Sequence, residues 1–176
     1  LVKRNMVISE RDIHTSRYKT CQLHDMMREV CLLKAEEEDF LQIVHDVSNA
    51  KSKAPCKSRR LAVHLSDKTF NVEREMNHPK LRSLMFINEN WREDRMWSSL
   101  FFDRLQLLRV LDLSRASFKG GKLPSTIGKL IHLRYLSLYK AYVTHLPSSL
   151  RNLELLLYLN IDLCENPIYM PNFLKE

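Results

Sequence analysis

At 176 residues, with 44% apolar and 28% charged side chains, the chain has the makeup of an ordinary globular protein, and this excludes a disordered tail. Its formal charge of +7, from 28 basic and 21 acidic residues, is scattered along the chain, so it tolerates an anionic partner without requiring one. There is no C-x-x-C pair, no H-x-x-x-H pair beside a carboxylate and no run of about 18 uncharged apolar residues, which argues against a metal site and a transmembrane segment.

The chain opens at Leu1 with no initiator Met and no apolar leader, and we read it as a piece of a longer, soluble protein. Its four cysteines follow no framework spacing, so a reduced cytosolic or nuclear compartment is the simpler expectation. MVIS from Met6 and YKTCQLH from Tyr18 form two short strands joined by the charged ERDIHTSR segment, a hairpin. In HDMMREVCLLKAEEEDFLQIV, residues Met26, Val30, Leu33 and Phe40 fall near helical spacing, and Asp25 is placed to cap the first turn. The acidic run Glu36 to Asp39 reads as solvated helix surface. These segments make residues 1–44 one unit, resembling the end of a winged helix. Residues 45–58, rich in Ser, Asn and Lys and carrying Pro55, make a linker.

From residue 59 to 176 another pattern rules. LRSLMF from Leu81, LRVLDL from Leu108, LRYLSL from Leu133 and LLYLNI from Leu156 each read L-x-x-L-x-L, or close to it, at spacings of 27, 25 and 23 residues. A degenerate copy, S-x-x-L-x-V, begins 23 residues before the first, at Ser58. LPSTIGKLIHL from Leu123 and LPSSLRNLELL from Leu146 keep step with the strands that follow them, and a third copy, MPNFLKE from Met170, is cut off by the chain end. The period lies in the range of about 20 to 29 residues that marks leucine-rich repeats.

Three inward Leu per strand contribute roughly 5 to 9 kcal/mol of burial, at about 1.5 to 3 each. Ordering one repeat costs on the order of 35 kcal/mol, at about 1.5 per residue, so a repeat stands only when stacked on neighbours. The ninth positions, Ala116, Ala141 and Cys164, are small enough for a tight inside corner, and Cys164 reads as a buried structural thiol. Trp97, Leu100, Phe101 and Leu105 are spaced to pack as a short helix on the back. The expected architecture is therefore α/β: about five repeats of a leucine-rich-repeat solenoid, the last truncated, preceded by a partial winged-helix segment of hairpin plus helix.

Outward strand positions would line one concave protein-binding face: Val110, Asp112 and Ser114, then Tyr135, Ser137 and Tyr139, then Tyr158, Asn160 and Asp162. Tyrosine suits such a face through its large area, low rotamer entropy and polar tip, and it also has good strand propensity.

CQLHDMMREVCLLKAEEEDFLQ from Cys21, together with LVKRNMVI before it and the LRVLDLS and LPSSL repeats after it, resembles the plant nucleotide-binding leucine-rich-repeat disease-resistance proteins. Within that family it is similar to the coiled-coil class, in the downy-mildew-resistance group. The resemblance places the family's M-H-D motif at Leu23, His24 and Asp25, with Leu in place of Met. It implies that His24 senses the phosphates of bound ADP, with Asp25 supporting it locally. No G-x-x-x-x-G-K-[ST] phosphate loop occurs among three glycines, so ADP or ATP is implied only for the full-length NB-ARC parent and no cofactor is expected in this chain.

The resemblance further implies an intracellular immune receptor whose repeats bind a pathogen effector or a guarded host protein, contact the nucleotide-binding domain and release a hypersensitive response. The parent is expected in the cytoplasm, with membrane-associated or nuclear pools left open. The alternative reading is a leucine-rich-repeat scaffold or adaptor without nucleotide switching. DNA binding through the hairpin would use Lys3, Arg4, Arg11, Arg17 and Lys19, but the recognition helix is missing and no specific nucleic-acid partner is expected. No catalytic constellation is found, and the chain is not expected to be an enzyme.

Overall fold

A computed structural model of the chain describes residues 6–11, 18–45, 58–65, 79–88, 96–97 and 102–162. The chain divides into two units, Leu1–Phe40 and Leu41–Glu176.

In the first unit, strands β1 (Val7–Arg11) and β2 (Tyr18–Leu23) pair antiparallel, as the sequence led us to expect, with a register shift between Glu10 and Arg11. Helix α1 spans Asp25–Glu37. Its Met, Arg, Leu, Lys, Ala and Glu are strong helix formers, with Asp25 in the first turn and Lys34 in the last, which suits the helix dipole. Two details correct the sequence reading. The N-cap is His24, extended at φ −61° and ψ 144°, so Asp25 is the first helical residue. Phe40 lies beyond the helix, because Asp39 turns left-handed at φ 48° and ends it. There the Phe40 N–H donates to the Ala35 carbonyl at 2.8 Å and the Asp39 N–H to the Glu36 carbonyl at 3.2 Å, a Schellman stop. None of the helix residues is buried.

In the second unit, six parallel strands form one sheet in the order β10-β9-β7-β5-β4-β3. They are β3 (Gln42–His45), β4 (Arg60–Leu65), β5 (Ser83–Asn88), β7 (Val110–Asp112), β9 (Tyr135–Ser137) and β10 (Tyr158–Asn160). The degenerate copy at Ser58 is a true strand, with Leu61 and Val63 buried. Strand β3 moves a boundary. The sequence assigned residues up to 44 to the first unit, whereas Gln42–His45 pair with Leu61–His64 in the repeat sheet. Residues 46–57 of the expected linker lie outside the described residues.

Parallel registration lines up Leu61, Leu84, Leu111, Leu136 and Leu159 as one inward row. Leu81, Leu108 and Leu133 are fully buried beside it, as are Leu113 and Leu138. Strands β5, β7 and β9 therefore contribute the same three apolar positions to a core that only stacking can close.

The back wall repeats just as regularly. Leu105, Leu130 and Leu153 donate their N–H groups to the carbonyls of Phe102, Ile127 and Leu150 at 3.0 to 3.1 Å. Each then accepts from the first Leu of the following strand at 2.8 to 3.0 Å. These are 3-10 turns, at Phe102–Arg104, Ser125–Lys129 and Ser148–Asn152, the latter two entered through extended Pro124 and Pro147. The expected back-face helix at Trp97 is corrected: Met96–Trp97 form a two-residue strand, β6, parallel to β8 (Ser117–Phe118), and Phe102 at the turn that follows is buried. Leu100 and Phe101 lie outside the described residues.

At the inside corner, Arg115 and Lys140 take left-handed φ of 60° and 52°, and the buried Ala116 and Ala141 follow them. The Tyr142 N–H reaches the Ala116 carbonyl at 2.8 Å, which locks one repeat to the next. A methyl group is what this corner accommodates. Cys164, the next ninth position, lies outside the described residues.

Candidate protein-binding surface

The outward residues of β7, β9 and β10 fall into two aligned rows, Val110, Tyr135 and Tyr158 in one and Asp112, Ser137 and Asn160 in the other. In the first row the Tyr135 and Tyr158 rings stack with centroids 4.9 Å apart and planes 3° from parallel. Stacking across in-register strands fixes both rings, so their apolar faces and phenol tips are presented with little entropy left to lose. Tyr135 is half-buried, while Tyr158 remains 51% exposed. On the following turn the Lys140 ammonium sits 5.3 Å from the centre of the Tyr139 ring, within range of a cation-π contact. The exposed Asp162 accompanies it at the same turn of the last repeat.

The second row does a different job. The Asp112 carboxylate accepts from the Ser114 N–H at 2.9 Å, and the Asn160 side-chain oxygen accepts from the Asp162 N–H at 3.1 Å. Ser137 repeats the pattern with the Tyr139 N–H at 3.4 Å and shares a 3.0 Å hydrogen bond with the Ser114 hydroxyl. These polar side chains therefore start the turn after each strand. One expected surface residue is corrected: Ser137 is 2% exposed, because its short side chain is consumed by this ladder and flanked by Asp112 and Asn160. Asp112→Ala should cost about 1 kcal/mol in urea denaturation, whereas Asp112→Asn should be nearly neutral because Asn160 already fills the equivalent place.

His24 and Asp25 are both exposed at the junction of β2 and α1. The His24 N–H donates to the Met6 carbonyl at 3.3 Å and its carbonyl accepts from the Arg28 N–H at 2.9 Å. Its imidazole makes no capping bond. The two side chains are adjacent in the chain and reach solvent together. Among the described residues no group of three or more His, Cys, Asp or Glu could hold a metal ion, and no helix is long and apolar enough to cross a membrane.

Residues 80–171 match the family model for a leucine-rich repeat region, and the strands and turns just described carry its pattern. The chain belongs to the leucine-rich-repeat family. These repeats and the first unit together are homologous to disease resistance proteins of Arabidopsis thaliana. The chain is 59% identical to the "Probable disease resistance protein RXW24L" across 98% of its length, 56% to the "Probable disease resistance protein RF9" across 100%, and 54% to the "Disease resistance protein RPP8" across 100%. The matched region makes up 19%, 17% and 20% of those relatives, so the leucine-rich-repeat chain spans about a fifth of their length.

Proposed function

We propose that the chain is the junction and recognition segment of an intracellular plant immune receptor. Its repeats bind a pathogen effector or a guarded host protein and restrain a nucleotide switch. The observation that carries this reading is identity of 54 to 59% running through both units into disease resistance proteins, with the LHD helix included in the match. A plain scaffold would have no reason to keep the hairpin and helix, so this continuity favours the receptor over the adaptor.

In this reading His24 approaches the phosphates of ADP in the parent, Asp25 supports it, and ADP favours the closed state. Partner binding at the tyrosine face biases the open state, which requires a partner that prefers that state. The ADP or ATP itself is held by residues beyond this chain.

The test uses the full-length receptor expressed in leaf tissue. Asp25→Val should trigger cell death without a pathogen, and continued quiescence would overturn the motif assignment. Combining Tyr135→Ala with Tyr158→Ala in the wild-type receptor should abolish the response to its pathogen. Adding the same pair to the Asp25→Val receptor should leave its cell death intact, since the fault would lie in recognition alone. Loss of both responses would instead mean that the tyrosines hold the fold.

A further inference from the structure

The second position of the repeat phrase recurs as arginine: Arg82 in LRSL, Arg109 in LRVL and Arg134 in LRYL, with Arg59 at the same place in SRRL. Their backbones are locked into one ladder. The Arg59 carbonyl accepts from the N–H groups of Arg82 and Ser83, the Arg82 carbonyl from Arg109 and Val110, and the Arg109 carbonyl from Arg134 and Tyr135. The Arg134 carbonyl does the same for Leu157 and Tyr158, all at 2.8 to 3.1 Å. Successive arginines are thus held at the spacing of neighbouring strands, about 4.8 Å, and the row of four spans about 14 Å. Leu157 ends the row and is 81% exposed.

This is an unusual concentration of one charge. Arg59, Arg109 and Arg134 are exposed and Arg82 is partly so. Among the described residues no carboxylate pairs with any of the four. Arg59 and Arg109 press on Arg82 from either side and, with some burial and Arg60, hold its guanidinium below the ordinary value. Like charges kept this close, with no counter-charge among the described residues, make the row a ready seat for an anion.

We propose that the ladder of Arg59, Arg82, Arg109 and Arg134 is a binding site for an anion carrying clustered phosphate groups. Guanidinium is a planar fork that meets phosphate oxygens in pairs, and each rung carries that fork where a plain cation would have served charge alone. A phosphate brings about 1.5 to 2 negative charges to one point. Phosphates crowded on a small ring therefore answer two adjacent rungs at once. Carboxylates on one side of an extended chain recur at about 6.6 Å and fall out of step with the rungs.

The experiment is calorimetric titration of the whole chain with inositol hexakisphosphate, at low and at physiological ionic strength. Binding is expected that weakens with salt and falls about tenfold for each of Arg82→Gln and Arg109→Gln. Arg151→Gln, on the back turn, should bind as the wild type, and circular dichroism should show all variants folded. No binding by the wild type, unchanged binding in Arg82→Gln and Arg109→Gln, or an equal loss in Arg151→Gln would each overturn the proposal. So would a glutamate-rich peptide of matched charge that binds as tightly as the phosphate. Vesicles with phosphatidylinositol bisphosphate, set against phosphatidylserine vesicles of equal charge, distinguish the sources of the same chemistry. Preference for the former supports the site with a lipid headgroup as ligand, and binding of the soluble phosphate alone supports it with a free one.

Discussion

Phe102→Ala is expected to lower the free energy of unfolding of the repeat unit by about 3 to 5 kcal/mol, measured by urea denaturation followed by circular dichroism. Phe102 is fully buried at the head of the first back-wall turn among the described residues. Its carbonyl anchors the Leu105 N–H, so its backbone is held in place and cannot collapse readily into the space a ring would vacate. Ile127 and Leu150 stand at the equivalent points of the next two turns, which makes the ring a member of a continuous apolar stack. Loss therefore combines the transfer term with an unfilled cavity. Leu157→Ala, at a residue 81% exposed, is the contrasting variant and should shift stability by less than about 0.5 kcal/mol. Comparable losses at the two sites would mean that the back wall is not packed as described.

Gly128→Ala should destabilise the chain by about 1 to 3 kcal/mol, for a steric reason rather than a conformational one. A Cβ at Gly128 would stand 2.5 Å from the Ser149 carbonyl oxygen and 2.6 Å from the Ser149 Cβ. Ser149 belongs to the next repeat, and its hydroxyl donates to the Ser125 carbonyl at 2.7 Å, so one back-wall turn rests directly on the other. Room for a methyl group could come only from prising repeats apart, which disturbs every row of the core at that level. Gly120 makes the useful contrast, because its φ of 64° is left-handed while nothing lies within 4 Å of an added Cβ. Gly120→Asn should thus cost less than about 1 kcal/mol, since Asn enters that region readily. Gly128→Asn should be at least as damaging as Gly128→Ala. Thermal melting separates the cases, at about 2 to 4 °C per kcal/mol for a chain of this size.

Much of the fold was legible because leucine periodicity is a direct imprint of burial. Inward rows through Leu84, Leu111 and Leu136 follow from the L-x-x-L-x-L phase, and the LPS phrases mark the back-wall turns. Strand β3 was not legible. Gln42–His45 carries no copy of the phrase, and its four residues become a strand because β4 offers them an open parallel edge. Phe102 was not legible as a core residue either: the helical spacing picked Phe101, and burial of Phe102 follows from where the 3-10 turn begins.

The candidate surface divides along the same line. Tyrosine on outward positions could be read directly, but its organisation into a 4.9 Å stack needed the register of β9 against β10. Asp112, Ser137 and Asn160 looked like further surface residues, yet hydrogen bonds two residues along the chain turn them to structural use. The arginine at the second repeat position was visible in three successive phrases, and nothing in one phrase alone distinguishes it from ordinary solvated charge.

The kinship with disease resistance proteins rested on resemblance, carried by the CQLHDMMREVCLLK stretch beside the repeat phrases. Spacing of apolar residues along the chain was enough to establish the repeat, its phase and the face each residue takes. Those properties depend on local order, because a side chain's face is set by its place in the strand. Which residues become neighbours across repeats required the folded array. In-register parallel stacking brings side chains 23 to 27 positions apart to about 4.8 Å, stacking tyrosine on tyrosine and setting arginine beside arginine.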